Sequence, residues 1–419
     1  SEQKYRSGLW KDVRLWRSRG VSAKTCAAIS RSKEKENSVM NRRMLLSVAV
    51  MVSWAIGVRG EDTLGVSSSR ASVKSETSTG LAQLVYSTPP YQQNRSTTGL
   101  VIMCELPQKI PLRLEYGRTT AYGSNVDFQS EPSGGDTWLY RALITGLQPQ
   151  QTYHYRVALT NGVPASADAT FVTATTNNVD FCFGVWSDSQ SGNGSDWKLD
   201  PLEPSRSMMR HMAAAGVSFG LTSGDVSQNG MNYNDTRHYY LDRVARELGP
   251  HAPWYVAWGN HDTAATNAIV RRASDMPSRY RAGLSSGHGS FSFAYANCFF
   301  VCLDNYYQAE ITNGWLRQEL SSAVAQQARF RIVTIHVPPY CERWLDGNST
   351  LRANLVPLME QYHVDICFSG HTHEYERGTT NGIAYIVTGG SSYLDYPEVI
   401  AKDWPHMTVG GAQNLPGSK

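Results

Sequence analysis

Residues 367–377 read Cys-Phe-Ser-Gly-His-Thr-His-Glu-Tyr-Glu-Arg, so two histidines separated by one residue follow a glycine at the end of an apolar run. Residues i and i+2 of an extended segment project to the same side, so His371 and His373 can each hold one of two neighbouring metal ions. Imidazole nitrogen is a favoured ligand of zinc and other first-row metals. Gly370 lets the backbone turn sharply and approach whatever is bound there.

Four apolar runs upstream end in polar residues that can also bind a metal. These runs are short and rich in β-branched or aromatic residues, which is typical of buried strands. The polar groups that follow them are Asp188-Ser189-Gln190, Asp225, Asn260-His261-Asp262 and His336. Ligand sites of open α/β sheets lie beyond the carboxyl ends of the strands. We therefore expect five strand ends to converge on one crevice.

The apolar pattern predicts two folded domains. Residues 79–176 show short alternating strands separated by turn residues, beginning with 81–86, which predicts a small β-sandwich that resembles a fibronectin III-like module. Residues 177–400 alternate apolar strands with helical segments, which predicts an α/β domain. Residues 61–78 read as a Ser/Thr-rich linker, and residues 401–419 as a C-terminal loop that is truncated before a closing strand or two. The predicted helices are 204–215, 236–248, 314–327 and 351–362.

The charge distribution separates the N-terminal segment from the rest of the chain. Residues 1–39 carry ten Lys and Arg against four Asp and Glu, whereas residues 61–419 carry 26 basic against 32 acidic residues. An acidic body lacks the basic surface that nucleic acid requires, so we expect no nucleic-acid partner.

Residues 40–60 have the pattern of a signal peptide. Two arginines precede an apolar stretch, Met44–Val58, which ends in small residues. Fifteen apolar residues are short for a stable membrane span. We therefore predict a secreted or periplasmic protein. Residues 1–39 then precede a signal that should be N-terminal, so either Met40 is the true start or these residues are a basic disordered tail.

Six predicted donors supply oxygen and nitrogen but no thiolate: Asp188, Asp225, Asn260, His336, His371 and His373. A mixed set of this kind suits two divalent first-row ions, with Mn, Zn or Fe as candidates and Asp225 as the natural bridge. Two such ions about 3.5–4 Å apart hold a hydroxide at neutral pH and clamp the oxygens of an in-line displacement at phosphorus. His261 follows a predicted ligand and can either protonate the leaving alkoxide or stabilise charge on the phosphoryl oxygens, with Asp262 fixing its tautomer.

The combined motifs resemble the signature of calcineurin-like metallophosphoesterases: Gly224-Asp225, Gly259-Asn260-His261-Asp262, His336 and Gly370-His371-Thr372-His373. Together with residues 336–340 and 370–377 behind a fibronectin-like module, they make residues 79–400 similar to the purple acid phosphatase branch. The resemblance implies a layered α/β/β/α domain and a binuclear site. It implies that one metal is held by Asp188, Asp225 and His373, and the other by Asp225, Asn260, His336 and His371.

The chain departs from that family pattern at two positions. Purple members carry a tyrosine three residues after the bridging aspartate, where this chain has Gln228. We therefore expect no purple colour, and Tyr233 is the alternative residue that could reach the metal instead. The first motif of the family is Asp-x-Gly or Asp-x-His, whereas this chain has Gln190, which can offer an amide oxygen to the first metal.

We predict an exported, acid phosphatase-like enzyme that hydrolyses small phosphomonoesters by metal-hydroxide attack. One alternative is a phosphodiesterase or nucleotide pyrophosphatase that uses the same site. The other is a non-enzymatic surface-binding protein that uses its β-sandwich. The intact ligand set argues against the second alternative.

Overall fold

The computed structural model of the chain describes residues 84–190, 202–262, 269–277, 289–304, 309–342, 347–391 and 407–409. The predicted basic extension, signal peptide and linker lie outside these residues and stay predictions. Within the described ranges, no helix combines the length and the apolar character that a membrane crossing needs.

The first folded unit is a sandwich of two four-stranded antiparallel sheets. One sheet has the spatial order β1 (Thr88–Gln93), β2 (Leu100–Leu106), β6 (Trp138–Ile144) and β5 (Gln129–Pro132). The other has the order β4 (Ser124–Asp127), β3 (Leu112–Gly117), β7 (Thr152–Leu159) and β8 (Ala169–Val172). Alternating residues such as Leu114, Tyr155 and Val157 fill the space between the sheets. The predicted β-sandwich is confirmed, while its fibronectin III class stays a prediction.

The first strand of the sandwich differs from the prediction. Residues 84–86 lie outside any strand, and β1 begins at Thr88 and includes Pro89 and Pro90. Proline has no backbone N–H to donate, so a stretch with two prolines is not expected from its sequence to form a strand. Here β1 lies at the edge of its sheet and pairs with β2 alone, which tolerates the missing donors.

The second unit contains two further sheets that face each other. The smaller sheet is parallel, with the order β11 (Trp254–Val256), β10 (Phe219–Thr222) and β9 (Phe183–Trp186). The larger, mixed sheet has the order β12 (Phe291–Tyr295), β13 (Cys298–Leu303), β14 (Phe330–Ile335), β15 (Ile366–Ser369), β17 (Ile383–Thr388), β16 (Tyr375–Thr380) and β18 (Met407–Val409). The five predicted strand ends therefore belong to two sheets rather than one.

Alternation along β9 and β10 explains how the layers pack. Phe183 and Phe219 are neighbours across the two strands, and both rings contact Phe300 of the larger sheet at centroid distances of 5.4 and 5.3 Å. The next residues, Gly184 and Gly220, face the opposite side. A Cβ at Gly184 would lie 2.5 Å from the sulfur of Met212, so glycine lets a helix approach the sheet closely.

Helices cover the outer faces of both sheets. The smaller sheet is covered by α1 (Leu202–Ala214) and α3 (Asp242–Glu247). A short helix, α2 (Tyr233–Thr236), and a π-helical turn, Arg237–Leu241, come directly before α3 in the chain. A 3-10 turn occupies Ile269–Ala273. The larger sheet packs against helices that include α4 (Ala309–Thr312), α5 (Trp315–Ser321), α6 (Ala323–Gln327), α7 (Ser349–Asn354) and α8 (Val356–Gln361). This arrangement confirms the layered α/β/β/α architecture.

The predicted helices 314–327 and 351–362 are each divided into two. Ser322 ends α5 in an extended conformation, and its hydroxyl then caps α6 by accepting from Ala325 N at 3.2 Å. Pro357 lies in the first turn of α8, where its missing N–H costs little. At the C-terminus, Met407–Val409 pairs with β16, so part of the predicted loop 401–419 is a strand.

Candidate metal centre

The predicted donors lie at the carboxyl ends of five strands. Asp188, Asp225 and Asn260 follow strands of the smaller sheet, and His336 and His371 follow neighbouring strands of the larger one. Backbone hydrogen bonds tie the strand ends together: Gly370 N donates to His336 O at 2.8 Å, and Gln190 N donates to Asp225 O at 3.0 Å. Two contacts cross between the sheets, because His371 N donates to Asp188 Oδ1 at 3.0 Å and His336 Nδ1 lies 2.8 Å from Ser223 O, so both sheets bring their carboxyl ends to one place.

Three of these residues adopt a backbone conformation that side chains normally avoid. Asp188, Asp225 and His371 have positive φ angles of 55°, 50° and 70°. The left-handed region costs roughly 1–2 kcal/mol for a residue with a Cβ. Such strain persists only where surrounding contacts enforce it, and it clusters at functional sites. The positions of all three side chains are therefore set by the fold.

A first group of donors surrounds the carboxylate of Asp225. His336 Nε2 lies 3.2 Å from Asp225 Oδ2 and 3.0 Å from Asn260 Oδ1. Ligand atoms of Asp225, His336 and His371 all lie within 4.8 Å of one another. Donors that share one small cation lie about 3 Å or slightly more apart, because each is about 2.0–2.2 Å from the ion. The contacts of His336 with Asp225 and Asn260, at 3.2 and 3.0 Å, match that spacing.

A second group of predicted donors includes a residue that also contacts Asp225. His373 Nε2 is 3.5 Å from Asp188 Oδ1, and Gln190 Nε2 donates to Asp225 Oδ2 at 3.4 Å. Asp188 also accepts hydrogen bonds from His371 N at 3.0 and 2.9 Å. The Asp188 side chain is fully buried, and the exposed fraction of Gln190 is 1%. Asp225 thus contacts residues of both groups.

The electrostatics of the first group suit cation binding. Burial, together with the charge of the neighbouring His336, lowers the pKa of His371 to about 4, so the imidazole is neutral with a lone pair available at neutral pH. Burial opposes charge on His336, but the Asp225 carboxylate outweighs it and raises the pKa of His336 to about 9. Burial likewise raises the pKa of Asp225, and the charge of His336 outweighs it to give a net lowering. The pair is therefore ionised, and a cation would replace the His336 proton.

Two further observations fit a bound metal. His336 Nδ1 lies 2.8 Å from Ser223 O, which fixes the proton on Nδ1 and leaves Nε2 for a ligand bond. Gln190 Oε1 is buried and has no hydrogen-bond partner among the residues that the structure describes. A buried amide oxygen without a partner is costly unless something outside the protein satisfies it. The donor set, oxygen and nitrogen without thiolate, matches divalent first-row ions.

Close packing at glycines holds the Asp225 and Asp188 carboxylates. A Cβ at Gly259 would lie 2.2 Å from Asp225 Oδ1, and one at Gly370 would lie 2.3 Å from Asp188 Oδ2. Any side chain at these positions would displace a predicted ligand. The glycines of the Gly-Asn-His-Asp and Gly-His-Thr-His motifs are therefore required by the space around the carboxylates.

His261 is held beside Asp225 by its backbone and by Gln228. Its amide donates to Asp225 Oδ1 at 2.9 Å. Its Nδ1 lies 3.0 Å from Gln228 O and 3.2 Å from Gln228 Nε2. Gln228 was singled out in the sequence only as a missing tyrosine, and nothing in its local pattern predicts this contact.

The predicted role of Asp262 is wrong. Its carboxylate accepts from the backbone amides of Val226, Ser227 and Gly259, each at 3.0 Å, instead of orienting the His261 ring. Asp262 is fully buried, and burial together with the nearby Asp225 raises its pKa to about 6. Asp262 therefore anchors two loops of the site, and Gln228 contacts His261 Nδ1 in its place.

Tyr233 does not replace the missing phenolate. Its hydroxyl donates to Glu105 in the sandwich, and the side chain is only 1% exposed. The donors brought together among the described residues are histidine, carboxylate and amide groups.

Comparisons with known proteins agree with this geometry. Residues 195–375 match the family model of calcineurin-like phosphoesterases. A purple acid phosphatase of Glycine max is 26% identical over 300 residues, which cover 67% of this chain and 61% of that protein. A phosphoenolpyruvate phosphatase of Allium cepa is 24% identical over 359 residues, which cover 81% of this chain and 65% of that protein. The chain thus spans less than two thirds of the length of either relative.

Two solved structures share the fold. A purple acid phosphatase from yellow lupin seeds, Lupinus luteus, superposes with a TM-score of 0.57 at 15% identity, covering 74% of this chain and 66% of that one. PhoD superposes with a TM-score of 0.55 at 14% identity, covering 75% of this chain and 79% of that one. At such low identity these likenesses concern the fold alone.

Proposed function

We propose that this chain, which carries a calcineurin-like phosphoesterase domain related to purple acid phosphatases, hydrolyses phosphate monoesters with two divalent metal ions. The observation that carries the proposal is that Asp225 contacts a member of each predicted ligand set. Its Oδ2 atom lies 3.2 Å from His336 Nε2 and 3.4 Å from Gln190 Nε2. A carboxylate that belongs to both sets is the residue that could be shared by two ions.

Two sets of residues would hold the ions. Asn260, His336 and His371 hold one ion and Asp188, Gln190 and His373 hold the other, while Asp225 belongs to both sets. When bound, the ions lower the pKa of water and neutralise the phosphoryl oxygens during displacement. Mn, Zn or Fe suits this oxygen and nitrogen set.

His261 acts on the leaving group in this proposal. Because Nδ1 is engaged by Gln228, Nε2 is the nitrogen that can transfer a proton to the leaving alkoxide. The bond between His261 N and Asp225 Oδ1 keeps the imidazole next to the bridging carboxylate. Positioned proton transfer of this kind contributes typically about 10²–10⁴-fold to the rate.

The test compares hydrolysis of para-nitrophenyl phosphate and bis-para-nitrophenyl phosphate by the full chain. Chelator should abolish hydrolysis, and added Mn or Zn should restore it, with the monoester cleaved faster. Asp225→Asn should lose turnover and bound metal together. Asp365→Asn is the matched control, because Asp365 accepts from Arg331 N and directly precedes β15, at its opposite end from the site. Hydrolysis without metal, or full activity of Asp225→Asn, would refute the mechanism, and faster diester cleavage would favour a phosphodiesterase.

We infer export from the pattern of residues 40–60. The basic start, apolar stretch and small residues support a cleaved signal. Mass spectrometry of the N-terminus after expression in a secreting host tests this, with cleavage near residue 60 expected. Intact residues 40–60 on the exported protein would contradict it.

A further inference from the structure

A buried hydrogen bond joins the β-sandwich to the domain that carries the site. Glu105 lies on β2 and is fully buried, and it accepts from Thr88 Oγ1 at 2.9 Å and from the hydroxyl of Tyr233. Tyr233 opens α2 of the other domain and is itself buried. A carboxylate removed from water is costly unless its oxygens accept hydrogen bonds, so Glu105 and Tyr233 depend on each other.

The turn between β5 and β6 adds a second connection to the same helix. A Cβ at Gly135 would lie 2.4 Å from Asn234 Oδ1, so glycine lets the turn press against α2. Arg237 Nη1 lies 2.9 Å from Asp136 Oδ1 just beyond the end of α2. The sandwich therefore contacts α2 and its first following residue from two sides.

The site loop, residues 226–232, is held by α2 along one edge. Thr236 Oγ1 lies 3.1 Å from Ser227 Oγ, and Asn229 N donates to Asp235 Oδ2 at 3.0 Å. Along its other edge the loop is bound to the Gly-Asn-His-Asp motif, because Gly230 N donates to His261 O at 2.9 Å. A displacement of α2 would therefore move the loop.

The last contacts in this series join the site loop to the imidazole of His261. Gln228 contacts His261 Nδ1 through both its carbonyl and its side chain. A continuous run of buried or half-buried contacts thus leads from Glu105 through Tyr233, Thr236 and Ser227 to Gln228 and His261.

We propose that Glu105 and Tyr233 are positioning residues, through which the β-sandwich sets the place of the site loop and of the His261 imidazole. The proposal rests on the proposed function, because it assigns the sandwich a part in the same reaction. Asp188, His336 and His371 follow other strands and Asp225 precedes the site loop, whereas Gln228 of the loop contacts His261 directly, so the predicted effect concerns His261.

Steady-state kinetics of four variants test this role. Tyr233→Phe removes the donor, Glu105→Leu removes the acceptor, and Glu105→Gln keeps an acceptor for Tyr233. Tyr140→Phe is the matched control, since its buried hydroxyl bonds to Ile110 N and Gln108 O within the sandwich. Tyr233→Phe and Glu105→Leu should lower kcat about tenfold with KM and metal content unchanged, because a small misplacement of a reacting group is costly. Glu105→Gln and Tyr140→Phe should retain the wild-type kcat.

Hydrogen exchange of the metal-free full chain gives a readout that does not require activity. Tyr233→Phe should speed exchange of the amides of Val226, Ser227 and Gly230, whereas Tyr140→Phe should leave them unchanged. Equal exchange and equal kcat in Tyr233→Phe and Tyr140→Phe would overturn the inference. If the wild-type protein hydrolyses no phosphate ester, the proposed function fails, and exchange alone still decides whether the sandwich holds the loop.

Discussion

Replacement of Gly259 by alanine tests the central carboxylate without changing any predicted ligand. An added Cβ would lie 2.2 Å from Asp225 Oδ1 and 2.6 Å from Asp225 N. Ordinary contact begins at 3.4 Å, so the carboxylate or the Gly259 backbone must move by about 1.2 Å. A misplacement of about 1 Å at a catalytic group can cost about 100-fold in rate, equivalent to about 2.7 kcal/mol of transition-state stabilisation.

Metal analysis and kinetics of Gly259→Ala measure this effect. We expect kcat on para-nitrophenyl phosphate to fall about 100-fold and the affinity for the divalent ions to fall by about 10-fold or more. Gly146→Ala is the control, because a Cβ there meets nothing within 4 Å and the positive φ of 75° costs stability alone. Wild-type kcat and metal content in Gly259→Ala would refute the position assigned to Asp225 as the shared ligand.

Three further predictions follow from single side chains. His261→Ala should lower kcat by about 10²–10⁴-fold while bound metal, measured by elemental analysis, stays at the wild-type level. Asp262→Asn should lower the free energy of unfolding in urea by roughly 1–3 kcal/mol, because an amide cannot accept from all three backbone N–H groups. Burial raises the pKa of Glu105 from 4.5 to about 7, so the folded state binds the proton more tightly than the unfolded state. The contribution of Glu105 to stability should therefore be largest below pH 4.5 and fall by up to about 3 kcal/mol as the pH rises through 7.

Each of these three predictions has an outcome that would contradict it. Metal loss in His261→Ala would make His261 a ligand, and unchanged stability of Asp262→Asn would remove its anchoring role. For Glu105, the nearby charges are Arg237, which lowers the pKa, and Asp242 and Asp136, which raise it. Glu105→Gln should make the decrease in stability between pH 4.5 and 7 smaller than in the wild type, while the contribution of Asp262, whose pKa is raised to about 6, remains. If the free energy of unfolding of Glu105→Gln changes with pH as steeply as that of the wild type, groups other than Glu105 cause the pH dependence.

The donors of the site could be predicted because their signals are local. Each follows an apolar strand directly, and parallel strands present their carboxyl ends together. The division of these strands between two facing sheets could not be predicted, since it depends on Phe183 and Phe219 packing against Phe300. Metal binding by these donors stays a prediction, although their geometry fits it.

The roles of Asp262 and Gln228 depend on contacts between distant segments. Val226 and Ser227 donate to Asp262 across 36 and 35 positions of the sequence, and Gln228 meets His261 across 33. From the sequence, an aspartate next to a histidine is expected to fix the tautomer of that histidine. In the structure, three backbone amides donate to this carboxylate instead. The local pattern also did not predict β1, because a strand that contains two prolines is acceptable only at the edge of a sheet.

Anomalous X-ray diffraction from crystals grown with Mn or Zn tests the central claim most directly. Two peaks about 3.5–4 Å apart are expected, with Asp225 between them, one beside Asn260 and His336 and the other beside Asp188 and His373. A single peak, or two peaks that do not share Asp225, would contradict the binuclear site.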